Sequence, residues 1–326
     1  MGKYSEDAAW DDIEPLPQDD GGPNSLAAIA YTDAYSEAMS YLRAIMAKNE
    51  MSERALALTE DIIDMNAAHY TVWLYRARIL QTIDADLHAE MTWLNATALT
   101  HQKNYQIWHH RQLVVDKLGS PDGEVDFITQ MFERDSKNYH VWSYRQWLVK
   151  RFEMWEHEEA QDDESAKRGQ RELQETERMI DEDVRNNSAW NHRFFVVCGG
   201  PGPGVKGKTI RDREIRFTQQ AIDRAPQNQS PWNYLRGVID TAGTPLAEVK
   251  DYCQQFASLD KADQVLSSHA LDLLAEIYTI EGRAREAAEA YDLLATKYDP
   301  IRANYWHYLK GLLPAGMDTA PAAAAA

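Results

Sequence analysis

The apolar positions of this chain recur at helical spacing and hardly ever alternate. Val125, Ile128, Met131 and Phe132 line one face of "GEVDFITQMFERDS" at 123–136, and a polar break leads into a second apolar stretch, "VWSYRQWLVKRF", at 141–152. Apolar residues three and four apart mark a helix with one buried face, so the pattern predicts a helix, a turn and a helix. The same grammar repeats: "KNYQIWHHR" at 103–111 returns as "KNYHVWSYR" at 137–145. Six of the ten tryptophans keep the register, namely Trp73, Trp108, Trp142, Trp190, Trp232 and Trp306, at intervals of 35, 34, 48, 42 and 74 residues. The last interval is twice 37, which places a degenerate unit near Ala270 and brings the total to about seven hairpins.

A hairpin of this length cannot bury its apolar face alone, so neighbours must stack. The predicted fold class is therefore all-α, a right-handed α-solenoid similar in kind to tetratricopeptide arrays. Each repeated Trp is expected to fill the space between the two helices of its own hairpin. The arginines three residues further on, Arg76, Arg111, Arg145 and Arg193, lie on the same helical face and are expected to bond a neighbouring turn or carboxylate. Residues 26–313 form the predicted superhelix. Residues 1–25, with "DDIEPLPQDDGGP", are acidic and rich in Pro and Gly and are predicted to be disordered; the Ala-rich tail 314–326 is predicted to fray. Two insertions, 156–170 with "EHEEAQDDESAKRGQ" and 199–208 around "GGPGPGVKGK", are expected as surface loops. The glycine run lacks the GxxxxGK[ST] spacing of a phosphate loop.

Composition narrows the partners. With 34 Lys and Arg against 52 Asp and Glu, the formal net charge is −18, which disfavours a broad grip on nucleic acid or an anionic membrane. No apolar run approaches a membrane span of about 20 residues, and Met1 to Trp10 lacks the layout of a signal peptide, so a cytoplasmic protein is expected. Cys198 and Cys253 show neither CxxC nor Cys/His spacing, so they read as ordinary buried thiols, and no metal site is expected in this chain.

Candidate chemistry gathers at the turns before the second helices. Asn104, Asn138, Asn186 and Asn228 each stand four residues before a Trp, where Asn is a good helix cap. Capping does not account for Lys103, Tyr105, Lys137, Tyr139 and His140, which with Tyr70 crowd three consecutive turns. Stacked hairpins bring such turns into one row. Lys offers a point charge and Tyr and Asn directional bonds, which suits a phosphorylated or carboxylate ligand; a solvated row of hairpin mouths is the alternative.

The pattern "NYxxWxxR", with "KNYQIWHHRQ", "KNYHVWSYRQW", "DEDVRNNSAWNHRFFV" and "PWNYLRGV" in order, resembles the prenyltransferase α-subunit repeat. From about Tyr70 to Leu312 the chain is similar to the α subunit shared by protein farnesyltransferase and type I protein geranylgeranyltransferase. The resemblance implies a crescent of hairpins wrapped around an obligate β subunit, which holds a catalytic zinc. Magnesium is implied through the diphosphate. The implied substrates are farnesyl or geranylgeranyl diphosphate and proteins ending in a CaaX motif, such as small GTPases. It also implies residue roles. Lys103 approaches the diphosphate and stabilises charge on the leaving group, and Tyr139 hydrogen-bonds the same group with Asn138 and His140 beside it. Tyr105 lies at the cavity rim, Gln106 bonds the carboxylate of the CaaX terminus, and Tyr70 packs near that peptide end. His69-Tyr70 replaces Asn-Tyr in the first strong unit, and Asn187 and Gln229 replace the tyrosine in later ones, which assigns those later units to the subunit interface. Two other readings stand beside this one: the α subunit of the Rab-type geranylgeranyltransferase, and a helical repeat scaffold without catalysis.

Overall fold

The computed structural model describes residues 2–22, 27, 29–156, 164–202, 204–205 and 207–314. Among the described residues there are fifteen α-helices and no β-strand. An opening helix α1 (Asp33–Ala47) precedes seven hairpins. These are α2 (Glu53–Met65) with α3 (Tyr70–Thr82), α4 (Leu87–Thr100) with α5 (Tyr105–Leu118), and α6 (Glu124–Arg134) with α7 (Tyr139–Arg151). Then come α8 (Glu164–Glu182) with α9 (Asn187–Cys198), α10 (Lys208–Arg224) with α11 (Gln229–Thr241), α12 (Lys250–Cys253) with α13 (Ser268–Ile280), and α14 (Ala284–Leu293) with α15 (Ala303–Gly311). The chain divides into two compact units, Met1–Trp147 and Leu148–Ala326, the division falling within α7.

Within each unit one repeated bond set fixes how a hairpin stacks on the next. In the first unit, the Ala67 carbonyl accepts from Trp73 Nε1 of its own hairpin at 2.9 Å and from Asn104 Nδ2 of the following one at 2.8 Å. The Gln102 carbonyl likewise takes Trp108 Nε1 at 3.4 Å and Asn138 Nδ2 at 3.2 Å. In the second unit, the Val184 carbonyl takes Trp190 Nε1 at 2.9 Å and Asn228 Nδ2 at 2.7 Å. The other end of each Asn caps its helix: Asn104 Oδ1 accepts from the Ile107 N–H, Asn138 Oδ1 from His140, Asn186 Oδ1 from Ser188 and Ala189, and Asn228 Oδ1 from Ser230. One amide thus satisfies an orphan helix donor and a carbonyl one hairpin away, which explains why Asn rather than Ser or Asp recurs there.

The tryptophan rings lie elsewhere than the sequence reading expects. Trp73 packs on Trp93 of α4 and His110 of α5, with centroids 5.6 and 5.2 Å apart, and Trp108 packs on Phe127 of α6 and Tyr144 of α7 at 6.3 and 5.2 Å. Trp190 meets Phe217 and Tyr234 of the next hairpin in the same way, while Trp142 lies 4.3 Å from Phe132 of its own. The rings therefore serve mainly as mortar between hairpins, because the indole N–H is tied back to its own turn and the ring is swung toward the next layer.

Beneath the rings runs a layer of buried ion pairs. Arg76 forks onto Glu90 (2.8 and 2.6 Å), which also accepts from His110 Nε2 at 2.8 Å. Arg111 forks onto Glu124 (both bonds 2.7 Å), which accepts from the Tyr144 hydroxyl, and Arg193 forks onto Glu214 (2.7 and 3.0 Å), which accepts from Tyr234 at 2.6 Å. Glu172 meets His192 at 2.8 Å. Each guanidinium is buried, and those of Arg76, Arg111 and Arg193 stack at 3.8–4.0 Å on Trp93, Phe127 and Phe217. Against the burial that would push them up, the carboxyls of Glu90 and Glu214 are held below their usual range by the bonded cations.

The ends depart from expectation. Residues 2–22 hold Tyr4, Trp10 and Ile13 buried, with the Trp10 ring 5.3 Å from Tyr4 and 5.5 Å from Tyr41. Glu37 of α1 accepts from the backbone N–H groups of Lys3, Tyr4 and Ser5, and Arg54 of α2 forks onto Asp12 at 2.7 and 2.9 Å. Up to Gln18 the acidic segment is therefore a strap rather than a disordered tail: three apolar anchors, matched charges and the Arg43 bonds to Leu16 and Gln18 outweigh its composition. Residues 23–26 and 28 lie outside the description, as does the predicted tail from 315 onward. The first insertion is a loop only in part. Positions 157–163 lie outside the description, but Glu164 already opens α8. That helix runs close against Trp155, since a Cβ on Gly169 would come within 2.0 Å of the Trp155 carbonyl oxygen. Glycine there permits the contact instead of ending the helix. The second insertion stops at Gly207, the residue before α10 opens at Lys208, and Gly204 adopts φ +55° against the Thr241 backbone; positions 203 and 206 lie outside the description.

Candidate functional site

The first unit presents one row of side chains where α3, α5 and α7 begin. Tyr70, Tyr105 and Tyr139 are the first residues of those helices, and they remain 67%, 67% and 68% exposed although they are large aromatic groups. The geometry follows from the cap. At Tyr105 and Tyr139 an Asn at the N-cap turns inward to bond the previous hairpin, so the residue after it is directed outward; Tyr70 holds the same place after His69, which makes no cap bond.

His140 joins the row. Its ring stands edge-on to Tyr105 with centroids 4.3 Å apart and lies 5.9 Å from Tyr139. Burial first, then the nearby Lys103 ammonium, lowers the His140 pKa below its usual value, which keeps the ring neutral near pH 7. Lys103 is itself exposed, and its Nζ lies 3.3 Å from Asp135 Oδ2.

Beside the row is a shallow groove of about 260 Å³ between α3 and α5, lined by Tyr70, Leu74, Tyr105, Gln106, His109 and Leu113 among others. Its walls are mostly apolar, and Leu74 and Leu113 are 55% and 45% exposed. Of the residues singled out in the sequence, the fold gathers Tyr70, Tyr105 and Gln106 in this groove, and Tyr105, Tyr139 and His140 in one aromatic run. Lys103 stands close enough to act on His140. Asn138 is the exception: it is 2% exposed, and both ends of its amide are engaged by the His140 N–H and the Gln102 carbonyl. It is a structural clamp, so its assignment to substrate binding is corrected. Among the described residues, no three His, Cys, Asp or Glu side chains gather into a group that could hold a metal ion. Burial pushes the Cys198 and Cys253 thiols up to about 11 and about 12, which leaves neither as an available thiolate.

Sequence reasoning missed the buried carboxylates. Glu90, Glu124, Glu172 and Glu214 each precede the Trp of their own hairpin by 18 positions, so they repeat with the same intervals as Trp108, Trp142, Trp190 and Trp232. That shared interval is the signal that could have found them.

Hairpins locked by an Asn, a carbonyl and a Trp, with a Lys, Tyr and His row beside an apolar groove, define a helical-repeat protein whose turns expose polar and aromatic side chains. Residues 52–83, 87–118, 121–152, 170–199 and 211–242 match the protein prenyltransferase alpha subunit repeat. The chain is 39% identical over 307 residues to the farnesyltransferase/geranylgeranyltransferase type-1 subunit alpha of Candida albicans, covering 92% of this chain and 95% of that protein. It is 36% identical over 326 residues to the corresponding subunit of Pisum sativum, covering 94% and 93%. The solved structure of Candida albicans protein geranylgeranyltransferase-I complexed with GGPP contains a chain that superposes with a TM-score of 0.84 at 37% identity, covering 94% of this chain and all of that one. The chain belongs to the protein prenyltransferase α-subunit family, with the α subunits shared by farnesyltransferase and type 1 geranylgeranyltransferase.

Proposed function

We propose that this chain is the α subunit of a CaaX protein prenyltransferase: paired with a β subunit, it takes part in moving an isoprenoid from its diphosphate to the cysteine thiol of a protein terminus. The observation that carries the reading is the row of exposed Tyr70, Tyr105 and Tyr139 with Lys103 and neutral His140 beside it. None of these groups is an activated nucleophile. All can donate hydrogen bonds or charge to an anion, which is the demand made by a departing diphosphate.

In this reading Lys103 supplies positive charge to the leaving group and Tyr139 donates a hydrogen bond to it. His140 holds the Tyr105 ring edge-on at the rim. Gln106, half-buried in the groove, offers its amide to the carboxylate of the CaaX terminus, and Tyr70 closes that end. The zinc that activates the substrate thiol belongs to the β subunit, and magnesium accompanies the diphosphate. The exposed leucines of the groove, Leu74 and Leu113, support a face that a partner subunit covers. Which isoprenoid is moved follows from the β subunit, and the enzyme works in the cytoplasm. No helix among the described residues is long and apolar enough to cross a membrane.

Co-expression with a farnesyltransferase β subunit, and transfer of labelled farnesyl diphosphate to a CaaX peptide, tests the reading. Activity is expected only from the pair. Lys103→Ala is expected to leave the heterodimer assembled and slow transfer about 100-fold, the scale of one lost electrostatic contact in a transition state. A pair that transfers normally without the Lys103 ammonium would remove that role.

A further inference from the structure

We propose that Asp135 is a positioning residue for Lys103, an inference that rests on the role just given to that lysine. Lysine carries its charge on a flexible four-carbon stem, and Lys103 has nothing packed over most of it: its side chain is 72% exposed. Left free, such an ammonium samples many rotamers, few of which place it where a leaving group would be. Catalysis by a fixed charge depends on that charge being in place before the reaction.

The Asp135 carboxylate has the geometry to restrict it. It stands in the turn of the next hairpin, immediately after α6, and is itself held still: Oδ1 accepts the Lys137 backbone N–H at 3.1 Å, closing an Asx turn. Oδ2 is left facing Lys103 Nζ at 3.3 Å. One oxygen anchors the carboxylate to the turn and the other reaches back across the hairpin boundary to the ammonium. The Asx turn alone does not call for this second contact. Asp183 forms the same turn with the Arg185 N–H at 2.9 Å, showing that the motif is a general device of these turns. At Asp135 the second carboxylate oxygen reaches Lys103 as well. The same turn carries Tyr139 and His140, so the acid ties the cation of one turn to the hydrogen-bonding groups of the next.

The contact is with solvent on one side, so its grip is modest and an anion of higher charge can draw the ammonium onward. A diphosphate arriving at the row therefore meets a lysine confined to one side of the turn, already near His140.

The test uses the heterodimer assembled with its β subunit and compares Asp135→Asn, Lys103→Ala and the double variant. Asn keeps an oxygen for the Lys137 N–H, so the turn persists while the charge is removed. Asp135→Asn is expected to lower kcat about three- to fivefold, the range an exposed ion pair commands, with the KM for the isoprenoid diphosphate unchanged. Added to Lys103→Ala, it is expected to cause no further loss. A full loss from Asp135→Asn on the Lys103→Ala background would show that the acid acts through the fold and overturn the inference. Normal turnover of Asp135→Asn beside a slow Lys103→Ala would overturn the inference and leave the role of Lys103 intact. Normal turnover of Lys103→Ala would overturn both.

Discussion

Glu124→Gln is the most informative single change in the buried ion-pair layer. Glu124 is 2% exposed and takes three charge-assisted bonds, two from Arg111 and one from the Tyr144 hydroxyl. Gln preserves the shape, but its oxygen can fill only one of the two acceptor positions. Placed where Oε2 now receives Arg111 Nε and Tyr144, it leaves its NH2 facing Arg111 Nη2, donor against donor. The guanidinium, 1% exposed, then loses its carboxylate and its Nη2 acceptor, and keeps two neutral ones, the Gln oxygen at Nε and Asn95 Oδ1 at 2.7 Å from Nη1. Removing one partner of a buried pair typically costs about 3–5 kcal/mol, whereas exchanging the whole group for apolar residues of similar volume is often neutral. The triple variant Arg111→Met, Glu124→Leu, Tyr144→Phe is therefore expected to lie within about 1–2 kcal/mol of the parent. Hydrogen exchange of the amides in α5, α6 and α7, followed in the assembled enzyme, reads the opening free energy of this layer. Glu124→Gln should accelerate exchange there by about two to four orders of magnitude, the cost above taken at about 1.4 kcal/mol per tenfold, and the triple variant should largely restore protection. If the triple variant exchanges as fast as Glu124→Gln, the pair contributes net stability of its own and the reasoning fails.

Two further predictions follow from the same structure. Burial, above all, lowers the pKa of His110, His140 and His269 in the folded chain. The unfolded chain, with histidines near 6.5, then binds more protons at mildly acid pH, and stability should fall as pH drops from about 7 through the histidine range; a melting temperature that rises between pH 7 and pH 5.5 would contradict this. For the N-terminal strap, Trp10→Ala removes the ring wedged between Tyr4, Tyr41 and Arg54. Brief proteolysis, mapped by mass spectrometry, should then cut between residues 2 and 22 well before the hairpins are attacked; a cleavage pattern like that of the parent would show that Glu37 and Arg54 hold the strap without it.

The hairpin pattern was legible because Trp is rare and its spacing survives insertions, so six rings were enough to count units. Tyr105 and Tyr139 were legible for a related reason: the Asn cap fixes which way its successor points, and Tyr70 follows from its register with them. Asn138 was misplaced because a cap and a ligand contact use the same amide, and only the fold shows that both its ends are taken. The four buried glutamates were hidden among 52 acidic residues, since nothing in a carboxylate's identity says whether an arginine faces it. The strap was hidden by its own composition: Tyr4, Trp10 and Ile13 follow no helical period and are outnumbered by charge. At Gly169 the residue type misled, because the absence of a side chain served close packing rather than chain reversal.

The spacing of the glutamates bears on how such a chain can change in length. From each Glu to the Trp of its own hairpin the distance never varies, and both insertions fall between one hairpin's Trp and the next hairpin's Glu. Around the second insertion that variable stretch is bridged at its base by the Arg193 and Glu214 fork, 21 residues apart, against 13 for the fork of Arg111 and Glu124, which encloses no insertion. Closing a longer loop costs only a slowly growing entropy, so the fork can tether loops of different size while the layers on either side keep their pitch. Residues can thus be gained or lost outside the tether, and the spacing of the turns that open the second helices is insulated from that drift.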